Sequence, residues 1–167
     1  MGSSLTIVDQ FGADMKKSFE MTDLGSLQYF LGLEVDQRSD GVFLSQKKYA
    51  EGVLIWFNMT QCKKTLTPMN TNEKLQLNDG SGAADRQLYR SLIGGLIYLV
   101  NTRPDIAFSV GMVSRFVNNP TKHHYSVAKR ILRYISGTVD HGMWYETTSI
   151  FNLIGFSDSD WAGALED

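Results

Sequence analysis

Four small groups of side chains in this sequence could do chemistry. Lys122, Lys129 and Arg133 are spaced by seven and four residues, so on a helix they fall in one row, with Arg130 beside them. His123 and Tyr125 add hydrogen-bonding or stacking groups near one end. Such a row could hold phosphates, which position a nucleic-acid backbone without reading its sequence. It reads equally well as the solvated face of an amphipathic helix. Asp158 and Asp160 share one face of a strand and could hold a cation weakly, although two carboxylates seldom make a Mg²⁺ site without a phosphate. His123 and His124 are adjacent, so on a helix they point about 100° apart and do not converge on one ion, which leaves them a surface role. Cys62 stands beside Lys63 and Lys64, which would favour its thiolate. With no base identifiable beside it, an ordinary structural thiol is the simpler reading. One cysteine excludes an internal disulfide framework and a multi-cysteine zinc site, and no cofactor is implied.

The charge around these groups is segregated. Residues 103–133 carry six basic side chains against one carboxylate, Asp105, and residues 134–167 carry six carboxylates and no Lys or Arg. The basic stretch could meet an anionic partner or dock on the acidic tail of the same chain. The 167 residues are 43% apolar and 20% charged, which places them with globular rather than disordered chains. No apolar run is long enough for a membrane span, and no secretory or transit signal is visible. The expectation is a soluble intracellular chain, cytoplasmic or nuclear, without membrane contact.

Periodicity supplies the elements that must position these groups. A helix is predicted over 6–20, with Thr6 and Asp9 at capping-box spacing and Ile7, Val8, Phe11, Met15 and Phe19 on one face. Alternation over 27–35 predicts a strand. Asp40-Gly41 offers a tight turn through positive φ, and Val42–Leu44 is the return strand. Ser45 can cap a helix to about Met59, with Tyr49, Val53, Trp56 and Phe57 inward. Val53, Leu54, Ile55 and Trp56 make that helix apolar nearly all round, so it is either buried on both sides or presents a partner-binding patch. Residues 60–85 are polar and irregular, and 78–85 is a flexible loop open to a nick or hinge. Three helices follow. Asp85 caps the first, with Tyr89, Leu92, Ile93, Leu96, Ile97 and Val100 inward. Pro104 and Pro120 open the second and third. Short connections predict a compact antiparallel bundle that Gly137 ends. Met143–Tyr145 and Asn152–Phe156 read as short strands. The expected fold class is α+β: N-terminal helix and β-hairpin, helical bundle, short C-terminal strands.

Nine stretches, read together, resemble a known family. They are Phe19–Gly25, Tyr29–Val35, Val42–Gln46, Thr67–Met69, Tyr89–Gly94, Thr102–Phe108, Ser114–Phe116, Ala128–Tyr134 and Gly155–Gly163. In this order they resemble the C-terminal part of the reverse transcriptase of Ty1/copia-type long-terminal-repeat retrotransposons, of plant type. The resemblance implies a division into the end of the palm with a primer-grip-like hairpin and a thumb helix (1–77), the loop (78–85), a thumb/connection bundle (86–137) and the start of an RNase H domain (138–167). It places Leu31 and Gly32 in the hairpin that grips the primer end, with Gly32 admitting close approach of a sugar–phosphate backbone. It assigns the basic helix to a region that tracks a duplex. Asp158 would be the first metal carboxylate of RNase H, only a remnant of that site.

The family's polymerase carboxylates lie in a Tyr-Val-Asp-Asp segment, and this sequence contains none. Phosphoryl transfer needs paired metal ions to hold the attacking and leaving oxygens. The expected function is therefore a catalytically inactive, truncated stretch of a retrotransposon reverse transcriptase that touches an RNA–DNA hybrid or other nucleic acid through Lys122, Lys129, Arg130, Arg133, Leu31 and Gly32. The alternative is a non-enzymatic module, reused by a host, that binds a host protein or itself through Val53, Leu54, Ile55 and Trp56.

Overall fold

A computed structural model describes residues 4–148 and 154–155. Helix α1 spans Leu5–Ser18 and starts one residue ahead of Thr6, so the predicted Thr6–Asp9 capping box does not form. Ser4 stands at the cap without a side-chain bond. The predicted apolar face is present, but no residue of α1 is buried.

The strand predicted over 27–35 is a hairpin. Strand β1 (Tyr29–Phe30) pairs antiparallel with β2 (Leu33–Gln37), with Phe30 opposite Leu33. Leu31 and Gly32 between them have φ of 48° and 78°, the double positive φ of a two-residue type I′ turn. A two-residue turn preserves the alternation, so the period was legible and the reversal was not. Leucine seldom adopts this backbone. It is held because the Tyr98 hydroxyl donates to the Leu31 carbonyl, and a Cβ on Gly32 would lie 2.6 Å from that same hydroxyl oxygen.

Strand β3 (Gly41–Ser45) pairs with β2 in the register Gln37↔Val42 to Glu34↔Ser45. Gly41 is needed for a reason other than turn geometry. Its φ is ordinary, but a side chain there would strike the Tyr145 carbonyl and the Trp144 ring. Both belong to β4 (Gly142–Glu146), which joins the far side of β3, so the antiparallel order is β1-β2-β3-β4 with the whole bundle inserted between β3 and β4. Most of the strand predicted over Asn152–Phe156 lies outside the described residues.

The bundle holds the core. Helix α2 (Lys47–Trp56) buries Ala50, Val53 and Leu54. Its inward face is centred about one position round from the predicted Tyr49-Val53-Trp56 row, which leaves Trp56 74% exposed. Ser45 ends β3 instead of capping; the Glu34 carboxylate caps α2 by accepting the Lys48 N–H at 2.8 Å. Helix α3 (Arg86–Val100) is capped by Asp85, which accepts the Leu88 N–H at 2.9 Å as predicted. Its buried row is Tyr89, Leu92, Ile93, Leu96 and Leu99; Ile97, predicted inward, is 52% exposed. A 3₁₀ turn at Pro104–Ile106 leads into α4 (Ala107–Ser114), and α5 (Lys122–Gly137) closes the bundle against α2, α3 and α4. The buried Tyr89 hydroxyl donates to the Val113 carbonyl at 2.7 Å, tying α3 to α4. Among the described residues the architecture is α+β: five α-helices and a four-stranded antiparallel sheet.

Gly32→Ala is expected to lose about 1–2 kcal/mol from left-handed backbone strain alone, and Tyr98→Phe about 1 kcal/mol from its hydrogen bond. Removing the hydroxyl also removes the clash, so the double variant should lose less than the sum. Urea unfolding of the four proteins checks this; strict additivity would refute the contact.

Candidate nucleic-acid interface

Helix α5 is fixed at its start by a reciprocal cap. Thr121 Oγ1 accepts the His124 N–H at 3.3 Å, and His124 Nδ1 accepts the Thr121 N–H at 3.0 Å. His124 is buried and stacked on Phe116 at 3.9 Å between ring centroids, not on the surface as its sequence position suggested. The loop before it is pinned to the same cap. Asp79 accepts from the Thr121 hydroxyl at 2.6 Å, Ser81 Oγ accepts the His123 N–H at 3.1 Å, and Gly82 accepts the Lys122 N–H at 2.9 Å. The Ser81 hydroxyl, the Thr121 hydroxyl and the Ser81 N–H, bonded to Asp79, hold its carboxyl below the usual carboxylate range. The loop read as flexible is thus tied to the helix at three successive residues. From this anchored end, Val127, Ala128, Ile131, Leu132 and Ile135 run into the core, and the cations fall on the other side.

Those cations do not form one uniform row. Lys122 is exposed at the capped end, between Thr121, which bonds Asp79, and His123, which meets Glu73 at 3.1 Å. Lys129 lies over the Tyr125 ring at 5.5 Å. Arg130 donates to Thr67 Oγ1 at 3.0 Å, and Arg133 Nε donates to the Lys63 carbonyl at 2.7 Å. The segment these two arginines hold is 63–67, and it brings exposed Lys63 and Lys64 to the same end of α5; the Lys64 stem packs where Gly137 has no side chain. Sequence reading treated the Lys63-Lys64 doublet only as neighbours of Cys62, because nothing local says which helix it lies along. The result is a strip of Lys63, Lys64, Lys129, Arg130 and Arg133, none of which pairs with a carboxylate among the described residues. It lies toward the C-terminal half of α5, where the helix dipole also favours positive charge.

Arg103, counted in the basic stretch, is not on this surface. It is buried and forks onto Asp105 at 2.8 and 2.9 Å, with further bonds to the Thr138 carbonyl and hydroxyl. Tyr134 donates to the same Asp105 at 2.9 Å. Burial pushes the Asp105 carboxyl up, but the bonds from Arg103 and Tyr134 outweigh it and hold the group below its ordinary value. Within the acidic stretch, Asp140 pairs with Lys47 at 2.6 Å, outside the basic stretch.

Comparison with known proteins places the chain in a family. The sequence profile described as reverse transcriptase (RNA-dependent DNA polymerase) matches residues 1–71. An uncharacterized mitochondrial protein of Arabidopsis thaliana is 41% identical over 165 residues, 97% of this chain and 67% of that protein. The retrovirus-related Pol polyprotein from transposon RE2 of the same plant is 38% identical over 92% of this chain and 10% of the polyprotein. That from transposon TNT 1-94 of Nicotiana tabacum is 37% identical over 100% of this chain and 13% of the polyprotein. The chain belongs to the Ty1/copia-type reverse transcriptases. It spans two thirds of the first relative and about a tenth of each polyprotein. No solved structure matches it.

In this copia-type chain the other predicted residues scatter. Leu31, 73% exposed, and Gly32 sit at the β1–β2 turn, on Tyr98 of α3 and away from α5. Val53 and Leu54 are buried in the core, so of the four predicted partner-binding residues only Ile55 and Trp56 lie on the surface. Cys62 packs partly against the core with Sγ 3.3 Å from Ser136 Oγ, as a structural thiol would. Asp158 and Asp160 lie outside the described residues. A cleft of about 700 Å³ beside the sheet is lined by Tyr29, Glu34, Asp36, Lys48 and Asp140. Its carboxylates are each engaged, by the Lys48 N–H, Arg38 and Lys47, so none converges on a common ion. No described helix is long and apolar enough to cross a membrane.

Because Asp105 is held below its unfolded value, its contribution to stability is whole above about pH 4 and is lost as the pH falls through the carboxylate range. The urea midpoint of the unmodified chain should therefore drop more between about pH 6 and pH 3 than that of Asp105→Asn. Equal drops would refute the assignment. Arg103→Ala should lose about 1.5–3 kcal/mol at neutral pH, since it removes the charged donor shared by Thr138 and a partly exposed Asp105 that keeps its Tyr134 bond.

Proposed function

We propose that this chain holds an RNA–DNA hybrid, or a similar duplex, by its phosphates along Lys63, Lys64, Lys129, Arg130 and Arg133, and does not itself catalyse strand synthesis or RNA cleavage. The observation that carries this is the strip itself. Five cations from two segments more than 60 residues apart are brought together with no carboxylate paired to them among the described residues, and two of them are aimed by bonds to Lys63 and Thr67. Uncompensated positive charge on a rigid helix releases counterions when it meets a phosphate backbone. Membership of a reverse transcriptase family supports nucleic acid as the anion. The lack of a Tyr-Val-Asp-Asp segment supports a holding role without phosphoryl transfer.

A second reading, docking of a host protein, is favoured by one observation: Ile55 and Trp56 are 64% and 74% exposed on a helix whose other side is core. It expects a protein partner that survives nuclease treatment and is lost on Trp56→Ala.

Fluorescence anisotropy with a labelled RNA–DNA hybrid across a salt series tests the first reading. Binding should have a Kd of about 1–100 μM and weaken steeply with salt. The double variant Lys63→Ala/Lys64→Ala should reduce the log–log salt slope by about two, one per phosphate contact. Lys47→Ala, whose charge Asp140 already occupies, should leave it unchanged. A flat salt response, or an unchanged slope in the double variant, would overturn the proposal.

A further inference from the structure

Arg130 presents a two-pronged anion fork with one prong in use. Its Nη2 donates to Thr67 Oγ1 at 3.0 Å. Its Nε, on the same edge of the guanidinium, is buried and has no hydrogen-bond partner among the described residues. That edge carries two parallel N–H donors suited to two oxygens of one carboxylate or phosphate. Arg103 shows the same edge filled: its Nε and Nη2 hold both oxygens of Asp105. An unmet buried donor is costly, and the edge of Arg130 lacks a second oxygen that a threonine hydroxyl does not supply. Because Nε is closed to solvent, an anion reaches it best from the side on which Thr67 already lies.

Thr67 can carry that anion. It is exposed, next to Leu66 at 96% exposure, in a segment with neither helix nor strand. The segment is laid along α5 by the Arg133 bond to the Lys63 carbonyl, the Thr65 N–H bond to the Arg133 carbonyl and the Arg130 bond to Thr67. Pro68 follows, which favours at Thr67 the extended backbone that a protein kinase takes into its cleft. Of the three prolines only Pro68 follows a hydroxyl residue; Arg103 and Asn119 precede the others. Thr65 is no rival, because its Oγ1 is buried. We propose that Thr67 is a phosphorylation site for a protein kinase that acts on threonine before proline, and that the phosphate, clamped by Nε and Nη2 of Arg130, weakens the hold of the basic strip on a duplex. In the transfer, Thr67 Oγ1 bonds to the γ-phosphorus of a nucleoside triphosphate, the bond from that phosphorus to the β–γ bridging oxygen breaks, and the nucleoside diphosphate leaves. The hydroxyl proton passes to the kinase's catalytic carboxylate. The product brings about 1.5–2 negative charges into the strip of Lys63, Lys64, Lys129, Arg130 and Arg133. The switch rests on the duplex reading above; the modification and its clamp do not.

The whole chain, incubated with Mg²⁺-ATP and a proline-directed protein kinase, should gain one phosphoryl group, placed on Thr67 by peptide mass mapping and absent from Thr67→Val. The second ionisation of that phosphate, followed by phosphorus NMR against pH, should lie below its ordinary value of about 6, because Arg130 favours the dianion. It should return to that value in Arg130→Gln, and part of the way in Arg130→Lys, which keeps the charge but not the fork. Circular dichroism checks that both variants stay folded. Phosphorylation should lower the log–log salt slope for the RNA–DNA hybrid by about two. No phosphoryl group on Thr67, or an ionisation that Arg130→Gln leaves unchanged, would overturn the site. A phosphorylated chain that binds the hybrid with an unchanged slope would overturn the switch. A flat salt response from the unmodified chain, with the ionisation still lowered, would overturn the duplex reading and the switch with it, and would support the clamped phosphothreonine.

Discussion

The burial of one side of α5 is the constraint on which the rest of the structure depends. Val127, Ala128, Ile131, Leu132 and Ile135 are each at most 5% exposed, and their helix packs against α2, α3 and α4. At about 1.5–3 kcal/mol for each large aliphatic side chain, this row is a major share of the apolar driving force. Because that side is committed, the opposite side has nowhere to face but outward. Because the start is capped by Thr121 and His124, the rotation of the helix about its axis is set, and with it the direction of Lys129, Arg130 and Arg133. The loop at 79–82 and the segment at 63–67 then take their places from α5, the first on its cap and the second on its arginines.

The molecule divides energetically at the sheet. The bundle has a closed core in which polar groups such as Arg103 and Tyr89 find partners inside the chain. Fixed points between the sheet and the bundle include the Tyr98 bond to the Leu31 carbonyl, the Glu34 cap on α2 and Lys48 of α2 over the Tyr29 ring. Ahead of the sheet, α1 buries no residue. The bundle presents charge, and α1 presents apolar surface.

Copia-type membership rests on residues spread over nearly the whole chain, but the surfaces that matter here follow from pairwise geometry that the family's motifs do not spell out. Arg103 lies inside the Thr102–Phe108 stretch and serves the fold, joining the 3₁₀ turn to the end of α5. Arg133 lies inside Ala128–Tyr134 and serves both, since its bond to the Lys63 carbonyl is structural while its charge remains unopposed.

The sequence by itself determined what is set by short spacing. The Asp85 cap, the apolar rows of α3 and α5, the end at Gly137, the strand at Met143–Tyr145 and the α+β class all follow from interactions among residues a few positions apart. Only the tertiary structure decided what depends on contacts across long separations. It broke the alternating run at Leu31–Gly32, because Tyr98, 67 residues on, holds that turn. It moved His124 inside against Phe116, and it sent Val53 and Leu54 into the core while leaving Ile55 and Trp56 outside. It also carried Lys63 and Lys64 to α5. Periodicity reports which residues share a face, but which face is covered, and by what, is fixed by the neighbour that arrives, and a one-dimensional pattern does not contain that neighbour.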